Sequence, residues 1–394
     1  MSRPAHRRPT ALAASALVLS LALGACARQA DAPPTPSASG TPITVVHGGE
    51  GLEGAVAAVL ARHLRLHGHA VADEDGVAVE QPAWSAAGGD TVAVVDTLAL
   101  AVAADPAVAL PSPPPPTSTP SSTPSSTPTS TPSSTPTGTE AGPSADAVPT
   151  PSATASTAAP SPTALPAGDP AADAQAAGRV LETLLAEETA AAGTPQDEAP
   201  AVLSSSAGVL RLTAVVTQTT AARLELESIT DLNGRCESLT AVAPPPLTAA
   251  ADPDAATALR ARLDRLAGCR PETWLADTED PSAAVVADEA QVALLTRTDP
   301  EIDANSLVPL EDDGRVLPEG RLTAVGSAAT LDDDAERRIA EVMSALDGDG
   351  LRELERLTTG ADPLPLAEAA QYWLVDHGLE DAPEDWFVPR GSWF

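Results

Sequence analysis

Leu307-Val308-Pro309-Leu310-Glu311-Asp312-Asp313-Gly314 opens the stretch, Ser306 to Leu379, on which the reading of this chain turns. An apolar run meets three carboxylates and a glycine, which predicts a buried strand ending at a polar turn. Three helical segments follow. Ala335, Ile339, Val342, Met343 and Leu346 recur at spacings of three and four and form one apolar stripe. Thr330 with Asp333 reads as a capping box, and Asp347-Gly348 reads as a stop. Leu351, Leu354 and Leu357 mark a short second helix. Leu366, Ala369, Ala370, Trp373 and Leu374 mark a third, between Pro365 and Gly378.

Upstream, Ile43-Thr44-Val45-Val46 reads as a buried strand. It leads through a Gly-rich loop, His47 to Gly51, into a helix with Leu52, Ala55, Val56, Val59 and Leu60 on one face, ended by Gly68. Thr91 to Val95 is a second apolar strand ending at Asp96. Continuous apolar strands around a helix predict a parallel α/β sheet. Val180, Leu181, Leu184 and Leu185 mark a helix, and Ala256, Leu259, Leu263 and Leu266 another. Val209 to Val216, Leu239 to Val242, Trp274-Leu275 and Val292 to Leu295 supply strands of a second α/β unit.

The 394 residues suffice for two ordinary domains, and the net charge of -33 excludes a polyanionic nucleic acid as a natural partner. With 40 prolines and aromatics at 2%, part of the chain cannot be packed core. Pro111 to about Pro166, with repeats such as Ser118-Thr119-Pro120, reads as a disordered insertion, because such units bury little apolar area. At the start, Arg3, His6, Arg7 and Arg8 precede an apolar run, Ala11 to Leu23, that reads as an export signal. Leu23-Gly24-Ala25-Cys26 resembles a bacterial lipobox. It predicts cleavage before Cys26 and acyl chains on that residue, and two chains anchor stably where one does not. Ala27 to Thr41 is then a tether. An exported chain left with Cys236 and Cys269 is expected to pair them.

The order of parts in the opening stretch resembles the C-terminal third of the osmoprotectant (glycine betaine/choline type) substrate-binding proteins of ABC importers. The matching residues are Leu310-Glu311-Asp312-Asp313, Pro318 and Trp373 to Leu379. Ile229-Thr230-Asp231-Leu232 is similar to that family's Ser-Asp-Leu turn, and Thr296-Arg297-Thr298-Asp299 to a crossover segment. The resemblance implies a two-lobed, type II periplasmic-binding-protein-like α/β fold with two crossovers. Residues 1–25 would be the signal peptide, 26–41 the tether and 42–105 the first part of lobe 1. Residues 106–167 would be the insertion, 168–300 lobe 2, and 301–394 the rest of lobe 1 and a tail. It further implies a non-enzymatic, cofactor-free monomer on a lipid anchor outside the cell membrane, with a small solute and an ABC permease as partners. The alternative is a family member that has become an interaction or regulatory lipoprotein.

The family builds a cation–π cage for quaternary ammonium groups largely from tyrosines. This chain has one, Tyr372, and Thr97 to Ala99, Leu212, Thr296 and Glu319-Gly320 stand at or near the matching positions. Trp84 and Trp274 read as core packing. A polar cleft set remains: His47, Glu50, Asp96, Thr217, Gln218, Arg297 and Asp299. Other motifs carry less. Gly49-Glu50-Gly51-Leu52-Glu53-Gly54 has the dinucleotide spacing, with Asp73 and Asp75 beyond it, but Glu50 and Glu53 would repel a pyrophosphate. His63 and His67 share a helix face, but Gly68 turns His69 away and no further histidine is near in sequence, so no metal is expected. No Gly-x-Ser-x-Gly occurs, and nothing argues for catalysis. Trp386, Phe387, Trp393 and Phe394 make an aromatic tail.

Overall fold

The apolar runs assemble into two mixed sheets, each with helices against it. The computed structural model describes residues 41–104, 172–244 and 253–387, except Glu50, Glu80, Gln81, Asp197, Ala276, Asp277, Glu279 and Gly314. The expected signal peptide, Cys26, the tether up to residue 40, Trp393, Phe394 and the whole Pro/Ser/Thr-rich insertion lie outside the described residues.

In chain order, β1 (Thr44–His47), α1 (Leu52–Leu66), β2 (Val77–Ala78), β3 (Thr91–Asp96), α2 (Thr97–Ala104), α3 (Ala172–Ala192) and β4 (Ala201–Ser205) come first. Next are β5 (Leu210–Val216), α4 (Gln218–Leu224), β6 (Thr240–Val242), α5 (Pro253–Ala267), β7 (Thr273–Leu275), α6 (Pro281–Val286), β8 (Val292–Thr296), α7 (Glu301–Ala304), β9 (Val308–Pro309) and β10 (Glu319–Gly320). The chain closes with β11 (Leu322–Gly326), α8 (Asp333–Ala345), α9 (Gly348–Thr359) and α10 (Leu366–Asp376). Lobe 1 holds the sheet β2-β1-β3-β11-β4, and lobe 2 holds β10-β5-β8-β6-β7 with β9 added beside β5.

The parallel pairing expected from the apolar strands holds for β1 with β3 and for β8, β6 and β7. It fails at β11, antiparallel to β3, and at β5, antiparallel to β8. Those two strands adjoin the passages between lobes. The chain enters lobe 2 between β4 and β5, over Ser206–Val209, and returns at Arg321 between β10 and β11. The boundaries expected at 105/168 and near 300 are therefore displaced. Leu181 and Leu185 of α3 pack on Val46, Ala93, Val95 and Val325 of the lobe 1 sheet, and β9 and β10 belong to lobe 2. An amphipathic helix carries a buried face but no mark of which sheet it will cover.

Helix α1 lies at the centre of lobe 1. Ala55 to Ala61 are all essentially inaccessible, so this helix is buried on every side rather than along one stripe. It packs with the sheet and with α8, α9 and α10, whose buried residues include Ile339, Val342, Leu351, Leu354 and Trp373. The three helices follow the predicted stripes, with a different cap. Asp332, not Thr330, caps α8 by accepting from the Ala335 N–H at 2.7 Å. Asp347 also starts α9, accepting from the N–H groups of Asp349 and Gly350.

Both passages are tight. A Cβ on Gly208 would lie 2.6 Å from the Asp347 carbonyl carbon, and one on Gly320 would lie 2.5 Å from the Leu98 Cβ, so only glycine fits at either. Arg321 fastens the two passages together. Its Nη1 donates to the carbonyls of Ser206 and Ala207, the latter at 2.7 Å, while its backbone N–H donates to Thr97 Oγ1 at 2.9 Å.

Lobe 2 is held differently. Cys236 and Cys269 form a disulfide with Cα atoms 5.1 Å apart, joining a 3-10 turn to the chain just past α5. Arg262, 4% exposed, donates from its guanidinium to the carbonyls of Val316 and Arg315 and so ties α5 to the loop before β10.

Candidate functional site

The residues of the opening stretch that match the family pattern build the frame. Leu310 is buried and donates its N–H to Ala214 O at 2.8 Å. Asp312 accepts from Val316 N–H at 2.8 Å and Leu317 N–H at 2.9 Å, which bends the chain into the return segment. Asp231 of the 3-10 turn Ile229–Leu232 accepts from the N–H groups of Ser228 and Glu227. These bonds hold its carboxyl below the usual carboxylate range.

Beside this frame, where β8 ends and β5 begins, lies a cavity of about 400 Å³. Arg211 and Thr213 of β5, Arg297 and Thr298 after β8, and Gly348 and Arg352 of α9 face it from both lobes. A recess of about 230 Å³ continues past Arg297 and Arg352 to Asp299 and Asp303. Arg211 is paired with the buried Glu319, and Arg352 with Asp349 at 2.8 Å. The Arg297 side chain is exposed and makes no hydrogen bond or ion pair among the described residues. No Trp, Tyr or Phe lines the cavity or the recess among the described residues.

Carboxylates gather next to these cations. Burial pushes the Glu355 carboxyl up to about 7; the neighbouring Thr298 hydroxyl opposes this, and the Asp299 and Asp96 charges add to it. Burial likewise pushes Asp96 up to about 6, against the N–H groups of Ala99 and Leu98 and with the Glu53 charge reinforcing it. Asp299 is raised by burial, which outweighs its bond from the Glu301 N–H. Thr298 Oγ1 and Glu355 Oε2 are buried with no formed hydrogen bond. The junction between lobes thus holds free arginine charge and under-neutralised carboxylates side by side.

Of the residues expected in the cleft, Arg297 and Asp299 face these cavities. Asp96 reaches the same junction electrostatically, while its Oδ1 caps α2 by accepting from Leu98 and Ala99 N–H. His47 is packed in lobe 1, its Nδ1 2.7 Å from Gly49 O, with no room for a Cβ at Gly54 without touching the ring. Thr217 and Gln218 are separated from the others. Thr217 caps α4 by accepting from the Thr220 N–H, and it lies beyond the end of β5 opposite Arg211. Six residues of strand put about 20 Å between the two levels. Glu50 lies outside the described residues. Arg211, Arg352 and Glu355 were missed; the last two are charged positions flanking the α9 stripe, a signal that surface charge also produces.

The glycine motif is closed by the chain itself. Glu53 Oε2 accepts from Gly49 N–H at 2.6 Å, and its Oε1 accepts from Asp96 N–H at 2.7 Å, so a carboxylate sits on the donors a phosphate would need. Trp84 packs on lobe 1, and Trp274 packs in lobe 2 beneath Arg260 at 5.4 Å. Tyr372 stacks on Trp386 of the tail at 4.4 Å.

No curated protein matches the chain. Among solved structures, a glycine betaine/carnitine/choline ABC transporter protein is 13% identical, covering 85% of this chain and 99% of that one, with a TM-score of 0.51. Apo YehZ from Escherichia coli is 14% identical, covering 86% and 100%, with a TM-score of 0.50. At these identities the likeness establishes a shared two-lobed fold. Residues 183–376, which run from within α3 to the end of α10, match the substrate-binding domain of the ABC-type glycine betaine transport system. Residues 183–376 are thereby placed with the substrate-binding domains of ABC-type glycine betaine transport systems.

Proposed function

We propose that this protein is the extracytoplasmic solute-binding lipoprotein of an ABC importer of the osmoprotectant class, delivering a small solute to a membrane permease. The family is one of solute-binding proteins rather than enzymes. The observation that carries the reading is the cavity between two lobes joined by two short passages, the layout in which closure encloses a ligand. The basic head, apolar run and Leu23-Gly24-Ala25-Cys26 support export and lipidation at Cys26. Among the described residues no helix is long and apolar enough to cross a membrane. Arg297, Asp299 and Asp96, with Arg352 and Glu355, are the groups assigned to the ligand. His47, Thr217 and Gln218 are better read as packing and capping residues.

The test is thermal unfolding of the full chain with betaine, choline, carnitine and proline betaine at millimolar concentration. A ligand bound well below that concentration raises Tm by mass action, and Arg297→Ala should reduce the rise. No shift with any of the four would sink the osmolyte assignment. One observation favours a second reading, an interaction or regulatory lipoprotein: among the described residues no aromatic ring lines the cavity, so the usual grip on a quaternary ammonium is missing from them. Capture of a defined non-transport partner, with no solute bound, would favour it.

A further inference from the structure

Helix α1 carries His63 in its last turn and ends at the cap residue His67, and α8 brings Glu341 against them, 278 residues beyond His63 in sequence. One ligating atom from each of the three lies within 4.8 Å of the other two. His63 is 1% exposed, with Nε2 3.3 Å from Glu341 Oε2 and Nδ1 buried without a hydrogen-bond partner. The rings of His63 and His67 lie edge to face, with centroids 4.6 Å apart. A buried imidazole with one long contact and one unpaired nitrogen is under-satisfied for a purely structural role.

We propose that His63, His67 and Glu341 form a binding site for a divalent transition-metal ion of the zinc class, with solvent completing the coordination. Two imidazole nitrogens and one carboxylate oxygen suit zinc, nickel, cobalt or copper(II); magnesium and calcium prefer oxygen throughout. Ligands about 2.0–2.2 Å from a tetrahedral ion stand about 3.4 Å apart, close to the His63–Glu341 separation. His67 and Glu341 are the accessible members, which gives the ion a route in. Burial favours the neutral, ligating form of the His63 imidazole. Arg338 Nη1 donates to both Glu341 oxygens, at 2.9 and 3.2 Å; it orients the carboxylate and, by its charge, moderates affinity for a cation. His69, bonded to Asp334 at 3.0 Å, stands outside the set. A bound ion would tie the N-terminal segment of lobe 1 to its C-terminal segment, away from the interlobe cavity.

The experiment titrates the full chain, purified in detergent and stripped with a chelator, with ZnCl2 by calorimetry, and with CoCl2 by visible absorption. The expected result is one equivalent of zinc, a Tm that rises with zinc concentration, and cobalt bands of a histidine-ligated centre. His67→Ala, on an exposed side chain, and Glu341→Gln should fold as the parent, bind zinc at least about tenfold more weakly and lose the cobalt bands. Failure of the parent to bind one equivalent, or equal zinc affinity in the His67→Ala/Glu341→Gln double variant, would overturn the site. Either outcome leaves the solute titrations unaffected.

Discussion

Lobe 1 and lobe 2 share a sheet-and-helix plan but are held together by different means. Lobe 1 wraps α1 in apolar side chains on every side and buries Trp373 completely, with its indole N–H donating to Gly350 O at 2.9 Å. Lobe 2 has shorter outer strands and relies on the Cys236–Cys269 bridge and on buried Arg262. Both lobes bury apolar clusters of similar extent, so the bridge adds a covalent restraint to lobe 2 rather than replacing a missing core.

Three changes probe that contrast. The largest effect is expected from Trp373→Ala, which empties the centre of lobe 1 and removes the indole N–H bond to Gly350 O. It should cost about 3–5 kcal/mol in urea unfolding. A cost below about 1 kcal/mol would mean that lobe 1 does not depend on this packing. Next is removal of the bridge by Cys236→Ala/Cys269→Ala. With 33 residues of separation the loop term is about 4 kcal/mol, lost from lobe 2 alone. Hydrogen exchange should then rise across β6 to β8 and stay unchanged in α1. A uniform rise would show that the lobes unfold as one.

The smallest effect is a pH dependence at the junction. Glu355 and Asp96 have folded-state pKa values raised to about 7 and about 6, so the folded protein holds protons that the unfolded chain would release. Their contribution is full below the ordinary carboxylate range and is lost as pH rises through about 6 to 7. Stability should therefore fall over that interval, and Glu355→Gln should flatten the fall. A parent curve that is level from pH 4 to 7 would remove the buried-carboxylate description.

Helix positions were legible because a stripe such as Ala335, Ile339, Val342 and Met343 announces both a helix and its buried face. Strand direction was not, because an apolar run such as Leu210–Val216 reads alike in either direction. That is why Thr217 and Gln218 were expected beside Arg297 and are found at the opposite end of the strand. The matched turn residues have a structural role here: Asp231 and Asp312 each accept two backbone N–H groups and so hold their turns. Glu355 and Glu341 look like surface charge until the fold sets one against Asp299 and the other against His63.

The Arg321 clamp has a mechanical consequence. Two ribbons running between the halves, if separate, could shear past each other and let the halves twist as well as bend. One guanidinium spanning Ser206, Ala207 and Arg321's own ribbon joins them at a common point, so that displacement of either carries the other with it. Whatever motion admits a guest is thereby narrowed toward a single swing, with its pivot at one side chain.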